Sequence, residues 1–197
     1  MKASVLHYGV GNVFSVEKAF RTLGFEVEVG RKVSRGADCL VLPGVGSFQA
    51  AAEDIATYRD ELVDVIKSGL PVLGICLGMQ VLFEESEEGP GRGLAVFKGR
   101  VVSLPDTVKK PHMGWNKVRG VAESRLLEGV GEGWVYFNHT YYPDPADVRL
   151  VLARTSYGVD FPSVVGSGNV FGTQFHPEKS SATGLKILRN FRELVRV

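Results

Sequence analysis

Pro71-Val-Leu-Gly-Ile-Cys-Leu-Gly-Met-Gln80 is the stretch that decides the fold. It begins as an uncharged apolar run, typical of a buried parallel strand, and residues 79–85 then have the composition of a helix. Between the two, Gly74-Ile-Cys76-Leu-Gly78 has the spacing of a nucleophile elbow, with Cys in place of Ser. A Cβ at either glycine would crowd this sharp turn, and the N–H groups of the following helix favour a thiolate at Cys76. The alternative is a small core residue in a tight turn.

Short apolar strands alternate with helices in the first half of the chain. Strand patterns occur at residues 3–8, 25–29 and 38–42. An amphipathic helix is predicted over 13–23, ending at Gly24, and helices are predicted from 53 to 68. This order predicts an α/β fold with a doubly wound, mostly parallel sheet.

The second half of the chain has short alternating strands without long helices between them. They are predicted at residues 96–104, 112–118, 134–142, 148–155 and 169–175. This pattern predicts an antiparallel strand segment added to the parallel core, followed by a closing helix over about 180–196. We expect residues 1–197 to form a single domain.

The composition argues against several classes of protein. The formal net charge of +1 gives no electrostatic footprint for a nucleic acid or a membrane surface, so neither is expected as a partner. No stretch has the ~18 apolar residues of a membrane span, and no signal peptide is visible. The two cysteines, Cys39 and Cys76, argue against a disulfide framework and for a reducing, cytoplasmic location. No His or Cys cluster has metal-ligand spacing, so neither a metal nor another cofactor is implied.

Pro43-Gly-Val-Gly-Ser-Phe48 directly follows the third predicted strand. Ligands of open α/β sheets bind at the carboxyl ends of the strands, so this loop and the Cys76 turn are expected to share one crevice. Its backbone N–H groups can bind an anion or an oxyanion. The loop has neither the length nor the Lys of a phosphate-binding P-loop, and the plain alternative is an ordinary turn.

A base for the cysteine is present in Gly172-Thr-Gln-Phe-His-Pro-Glu-Lys-Ser180. A cysteine nucleophile needs a base, and the base needs an anion to orient it. His176 supplies an imidazole, and Glu178, two residues later, supplies a carboxylate that a bent strand end can bring onto the ring. The motif ends a predicted strand at the same sheet edge as Cys76. The alternative is a solvent-exposed His-Pro-Glu turn.

Taken together, these motifs resemble those of a known family. Gly-Ile-Cys76-Leu-Gly-Met-Gln80 with His176-Pro-Glu178 resembles the class I glutamine amidotransferases, which hydrolyse glutamine with a Cys-His-Glu triad on a flavodoxin-like fold. Within that family, loop 43–48, His112-Met-Gly-Trp-Asn116 and residues 176–181 are similar to the glutaminase subunits of imidazole glycerol phosphate synthases. The resemblance covers residues 5 to about 190. It departs at Asn138, where an aliphatic residue is more usual, and at Thr140, where Ser is common.

The resemblance implies a role for individual residues. Cys76 would be the nucleophile, His176 the general acid and base, and Glu178 the carboxylate that orients the ring. The resemblance implies an oxyanion hole at Val45, Gly46 and Leu77, and glutamine-binding positions at Gly46, Gln80, Glu88, Thr140 and Tyr141.

The resemblance also implies a partner that consumes the ammonia. In the family this is a separate (β/α)₈ cyclase subunit, with which the chain would form a heterodimer. The cyclase turns a phosphoribulosyl-formimino aminoimidazole carboxamide nucleotide into imidazole glycerol phosphate and aminoimidazole carboxamide ribotide for histidine synthesis. The interface residues expected on this basis are Val10, Asn12, Trp115, Tyr136 and Lys179. For Trp115 the alternative is core packing, and for Lys179 a solvated charge.

Two other functions stay open from the sequence. One is a stand-alone cysteine hydrolase or an amidotransferase subunit for pyridoxal phosphate, anthranilate or purine synthesis. Loop 43–48 and residues 112–116 favour the histidine pathway instead. The other is a non-catalytic binding module on the same fold, and the presence of Cys76, His176 and Glu178 argues against it.

Overall fold

The computed structural model describes residues 1–7, 13–44 and 46–196. The strands in these ranges are β1 (Lys2–Leu6), β2 (Glu26–Gly30), β3 (Cys39–Leu42), β4 (Val72–Ile75), β5 (Glu85–Ser86), β6 (Gly99–Ser103), β7 (His112–Gly120), β8 (Gly133–His139), β9 (Tyr141–Pro145), β10 (Val151–Ser156), β11 (Asp160–Ser167) and β12 (Val170–Thr173). The α-helices are α1 (Phe14–Thr22), α2 (Phe48–Ile55), α3 (Arg59–Lys67), α4 (Leu77–Gln80) and α5 (Ser181–Val195). Short 3-10 helices cover Arg125–Leu127, Val148–Leu150 and Pro177–Lys179.

A nine-stranded mixed sheet organises the molecule. Its order is β2-β1-β3-β4-β12-β11-β10-β7-β8. The strands from β2 to β12 are parallel neighbours, and antiparallel pairing starts between β12 and β11. A second sheet, β5-β6-β9, lies beside it. A parallel core with an antiparallel addition confirms the predicted α/β class.

Hydrophobic clusters cover both faces of the parallel strands. Because successive strand residues point to opposite faces, the four buried residues of β3 divide between the two clusters. Cys39 and Val41 belong to the cluster that contains Phe20 of α1 and Phe191 of α5. The other cluster contains Leu40, Leu42, Phe48 of α2 and Ile66 of α3. Helices on both faces make the sheet doubly wound, as predicted.

Two helical predictions differ from the structure in their bounds. The helical region predicted from 53 begins earlier, at Phe48, because the Ser47 side chain caps α2 by accepting a hydrogen bond from Ala50 N at 3.3 Å. The helix predicted over 79–85 ends at Gln80. Its next carbonyls, of Val81, Leu82 and Phe83, accept hydrogen bonds from residues 94, 97 and 95 instead. A returning segment distant in sequence thus replaces further helical turns.

Strand β11 was not predicted, since Pro162 and Gly166 interrupt any alternation. It is nevertheless paired on both sides, with β10 and β12, and its residues 161–166 are buried. A strand between two neighbours does not need a polar face, so its pattern is weak in the sequence.

Gly184 brings α5 against the turn that carries Glu178. A Cβ at this position would lie 2.0 Å from the Pro177 carbonyl oxygen, so alanine requires α5 to shift. We expect Gly184→Ala to lower the free energy of unfolding by about 1–3 kcal/mol, measured by urea denaturation. Gly120→Ala in β7 is the control, because its Cβ meets no heavy atom within 4 Å. Equal stability of the two variants would contradict the close packing of α5.

Candidate active site

Cys76 lies at the turn between β4 and α4, in a backbone conformation that few residues other than glycine adopt. Its φ is 51° and its ψ is −107°. Such a conformation costs roughly 1–3 kcal/mol and persists only where the surroundings enforce it. Here the Cys76 N–H donates to Thr173 O of the neighbouring β12 at 2.7 Å, and Cys76 O accepts from the N–H groups of Met79 and Gln80. The turn therefore holds the thiol in one place.

Three glycines allow the backbone to close around this turn. A Cβ at Gly74 would lie 2.5 Å from Gly78 O, and one at Gly78 would lie 1.8 Å from Leu42 O. A Cβ at Gly44, in the loop after β3, would lie 1.8 Å from Ile75 O. The expectation that side chains at Gly74 and Gly78 would crowd the turn is therefore confirmed. The contact at Gly44 also places the start of loop 43–48 directly against the elbow.

His176 and Glu178 form a buried pair beside the cysteine. The Nδ1 of His176 lies 2.9 Å from Glu178 Oε1, and both side chains are 3% exposed. A carboxylate only accepts, so His176 Nδ1–H donates and Nε2 is left for the sulfur. Burial is the largest single influence and lowers the pKa of His176, but hydrogen bonds and charge from Cys76 and Glu178 together raise that pKa to about 10. The ring therefore tends to hold its proton between the two groups.

The His-Pro-Glu turn is attached to the edge strand β8. The His176 N–H donates to Tyr136 O at 2.9 Å, and the Ser180 hydroxyl donates to His176 O at 2.6 Å. The same hydroxyl accepts from Tyr136 N at 2.9 Å. Pro177–Lys179 then forms a 3-10 helix. These bonds position the imidazole, and the exposed turn considered as an alternative is not what forms.

A small polar pocket of about 230 Å³ contains Cys76. Each of the expected glutamine-binding residues and two of the expected oxyanion residues line it: Gly46, Leu77, Gln80, Glu88, Thr140 and Tyr141. Val45, the third expected oxyanion residue, lies outside the described residues. A larger surface groove of about 1090 Å³ runs along residues 119–132, but Cys76 does not line it. We therefore place the candidate site in the smaller pocket.

Two pocket side chains are fixed by bonds to the protein. Glu88 Oε2 accepts from Phe48 N, at the start of α2, at 2.6 Å. Gln80 Nε2 donates to Tyr141 O at 2.8 Å and to Gln174 Oε1 at 3.2 Å. The Gln80 nitrogen is thus occupied, which leaves its Oε1 for a ligand.

Two groups near the sulfur were not singled out in the sequence. Gln174 Nε2 donates to Cys76 Sγ at 3.5 Å, and Asn138 O lies 3.7 Å from the same sulfur. Gln174 precedes His176 by two residues, so an extended backbone directs both the same way, and that spacing was the available signal. The Asn138 carbonyl gave no signal, because a backbone acceptor carries no sequence information.

A buried histidine pair was also missed. His112 Nδ1 lies 3.0 Å from His139 Nε2, and His139 Nδ1 lies 2.9 Å from Tyr141 O. The carbonyl can only accept, so each ring carries its proton on Nδ1 and both are neutral. Burial is the main cause that lowers the pKa of His112 to about 4 and that of His139 to about 3. The pair fixes the Tyr141 carbonyl that also holds Gln80.

Three of the five expected interface residues, Trp115, Tyr136 and Lys179, lie on the outer side of the β7–β8 hairpin and its neighbouring turn. Trp115 is 51% exposed, which excludes core packing, and its ring meets Tyr136 edge-on at 6.2 Å between centroids. Lys179 is exposed in the 3-10 helix that follows His176. Val10 and Asn12 lie outside the described residues.

The described residues also lack two other features. Within them, no cluster of three or more His, Cys, Asp or Glu side chains is arranged to hold a metal ion. In the same part of the chain, no helix has the length and apolar character required to cross a membrane.

Comparison with known proteins agrees with this geometry. The family model for class-I glutamine amidotransferases matches residues 4–194. Proteins named imidazole glycerol phosphate synthase subunit HisH are similar over nearly their whole length. The one from Sulfolobus acidocaldarius is 45% identical over 192 residues (96% of each chain), and that from Methanothermobacter thermautotrophicus 46% over 196 residues (98% of each). The one from Geobacillus thermodenitrificans is 48% identical, covering 97% of this chain and 95% of its own.

Solved structures share the fold at lower identity. A crystal structure of a glutamine amidotransferase superposes with a TM-score of 0.79 at 24% identity, covering 100% of both chains. PurLQS from Thermotoga maritima superposes with a TM-score of 0.78 at 20% identity, covering 98% of this chain and 97% of that one. The full-length family match, with the Cys76 elbow and its His-Glu pair, leads to one conclusion: this chain belongs to the class-I glutamine amidotransferase family.

Proposed function

We propose that Cys76, His176 and Glu178 are the catalytic triad with which this glutaminase subunit of an imidazole glycerol phosphate synthase hydrolyses glutamine. The observation that carries the proposal is the buried line of hydrogen bonds from Glu178 through His176 to Cys76, together with the small polar pocket that Cys76 lines. Relatives with 45–48% identity that are named as subunits of this synthase support the assignment. The ammonia serves histidine biosynthesis.

The chemistry follows from the positions of these groups. The Cys76 thiolate attacks the side-chain amide carbon of glutamine, and the negative charge moves to the amide oxygen. Backbone N–H groups of Leu77 and of loop 43–48, at Val45 and Gly46, stabilise that oxyanion. The protonated His176 then gives its proton to the departing ammonia, which leaves a thioester. A water molecule, deprotonated by His176, attacks the thioester and releases glutamate and the thiolate.

The pocket also provides groups for the amino-acid end of glutamine. The Glu88 carboxylate and the Gln80 Oε1 are acceptors suited to the α-ammonium group. Gly46, Thr140 and Tyr141 line the same pocket, and we assign their backbone N–H groups to the α-carboxylate. The volume of about 230 Å³ is below the usual range of drug-sized sites, in keeping with a small metabolite.

The partner in this proposal is a (β/α)₈ cyclase subunit, with which the chain forms a heterodimer in the cytoplasm. Ammonia would be protonated and lost in bulk water, so the site has to open towards the subunit that consumes it. Trp115 and Tyr136 are aromatic anchors of the kind that dominate interfaces, and the exposed Lys179 can pair with an acidic residue. The family resemblance also assigns Val10 and Asn12 to the interface, and both lie outside the described residues. Both cysteines of this chain are free thiols, as a reducing compartment requires.

Removal of the nucleophile tests the triad. Cys76→Ala should abolish glutamine-dependent synthesis, while the cyclase supplied with ammonium salts keeps working. Glu178→Gln should have a smaller effect than Cys76→Ala, lowering the rate roughly 10⁴-fold, because the ring loses its orienting charge. Cys39→Ala is the control, since Cys39 is buried in β3 away from the pocket. Glutaminase activity in Cys76→Ala would refute the triad.

The free chain should be a poor glutaminase. A glutaminase that runs without its partner wastes glutamine, and a glycine-rich loop such as 43–48 can change its peptide orientation at small steric cost. We expect the cyclase with its bound nucleotide to raise the rate of glutamate release by orders of magnitude, each tenfold requiring only about 1.4 kcal/mol. Equal rates for the free chain and the ternary complex would contradict this expectation.

Lys179→Ala tests the docking surface. The variant should weaken glutamine-dependent synthesis and cyclase-stimulated glutaminase activity without unfolding the chain, and leave ammonia-dependent synthesis unchanged. Lys67→Ala is the matched control, since Lys67 is also an exposed lysine, at the end of α3, and this variant should behave as the parent. If Lys179→Ala binds and responds to the cyclase as the parent does, the surface is wrongly placed.

A further inference from the structure

Gln174 is a fully buried amide in contact with the nucleophile. It is 0% exposed and lies immediately after β12, and its Nε2 donates to Cys76 Sγ at 3.5 Å. Its own N–H donates to Ser163 O of β11 at 2.9 Å, which fixes the backbone from which the side chain extends. The triad chemistry described above makes no use of this contact.

The orientation of the Gln174 amide is determined by a chain of partners. Tyr141 O is a backbone carbonyl and can only accept, so Gln80 must present its Nε2 to it. The second N–H of Gln80 then points to Gln174, which must accept through Oε1. As a result, the Gln174 Nε2 and not its oxygen faces the sulfur. A flipped amide would set two NH₂ groups against each other and an oxygen against the thiolate.

A donor at this place distinguishes between the two protonation states of Cys76. A thiolate accepts a hydrogen bond from an amide much more strongly than a thiol does, since the acceptor carries the charge. The thiol has a different partner, because its S–H can donate to Asn138 O at 3.7 Å. Gln174 thus favours the thiolate at a buried position where an unpaired charge is costly.

We propose that Gln174 is a fourth catalytic residue, which donates a hydrogen bond to the nucleophilic sulfur, and that Gln80 is a positioning residue that orients it. The inference rests on the proposed role of Cys76 as nucleophile. It also gives Gln80 a task besides binding glutamine. Among the described residues, the titratable groups that lie beside Cys76 or share its pocket are His176, Glu178, His139, Glu88 and Tyr141, and none of them is altered by the test variants.

The test is the pH dependence of Cys76 alkylation by iodoacetamide in the free full-length chain, followed by mass spectrometry. Only the thiolate reacts, so the midpoint of the rate profile reports thiolate formation without any need for glutamine turnover. Gln174→Met keeps the side-chain length but has no donor. We expect its midpoint to move to higher pH and its rate below the midpoint to fall roughly ten- to hundredfold. The plateau at high pH should not fall.

Gln80→Met provides a second, independent variant. Without the Gln80 donor, the Gln174 amide can turn either face to the sulfur, so the midpoint should move in the same direction but less far. If Gln174→Met fails to fold, this variant carries the test. Asn190→Leu is the control for loss of a buried amide, because Asn190 donates to Leu126 O and Glu128 O, away from the site. Cys39 does not interfere, since burial raises the pKa of its thiol to about 12.

The outcomes separate this inference from the proposed function. A midpoint that moves in both glutamine variants but not in Asn190→Leu supports the inference. An unchanged midpoint in Gln174→Met, or in Gln80→Met if only that variant folds, overturns it and leaves the triad untouched. Absence of glutaminase activity in the parent with its cyclase would instead overturn the proposed function, whatever the alkylation profiles show.

Discussion

The geometry of the candidate active site depends on the close packing of backbone against backbone at the Cys76 turn. Gly44, Gly74 and Gly78 each stand where a Cβ would lie within 2.5 Å of a carbonyl oxygen. This contact joins the ends of β3 and β4 and holds Cys76 at a φ of 51°. A residue in that conformation points its side chain out of the turn, and here it points to the pocket. The rest of the site is built around that fixed sulfur.

The edge strand β8 of the antiparallel segment brings further groups to the sulfur. β8 supplies Tyr136, whose backbone holds the His-Pro-Glu turn, and Asn138, whose carbonyl lies by the thiol. The same hairpin carries Trp115 on its exposed side. The proposed catalytic centre and the proposed docking surface therefore share β8, so a partner that binds the hairpin acts on an element in contact with Cys76.

Much of the fold was predictable because the relevant signals are local. The 13–23 helix pattern corresponds to α1, and Gly24, with a φ of 84°, follows its end. The bounds of α2 and α4 were harder to predict from the sequence. The start of α2 depends on the Ser47 cap, and the end of α4 depends on hydrogen bonds from residues 94–97. β11 had no pattern of its own, because both of its edges are paired and its faces are buried.

The sequence alone determined the family, the nucleophile elbow and the His-Pro-Glu pair, since each depends on residue type at short spacing. Through the resemblance carried by those motifs it also named seven of the eleven residues that line the pocket, but not Gly44, Pro111, Asn138 or His139. Only the tertiary structure decided which amide faces the sulfur and which way round it lies. The orientation of the Gln174 amide is set by hydrogen bonds that run from Tyr141 through Gln80 to Gln174. Gln80 lies 61 residues from Tyr141 in the chain and 94 residues from Gln174. Hydrogen-bond direction over such separations has no local signal, because it is set only when the strands assemble.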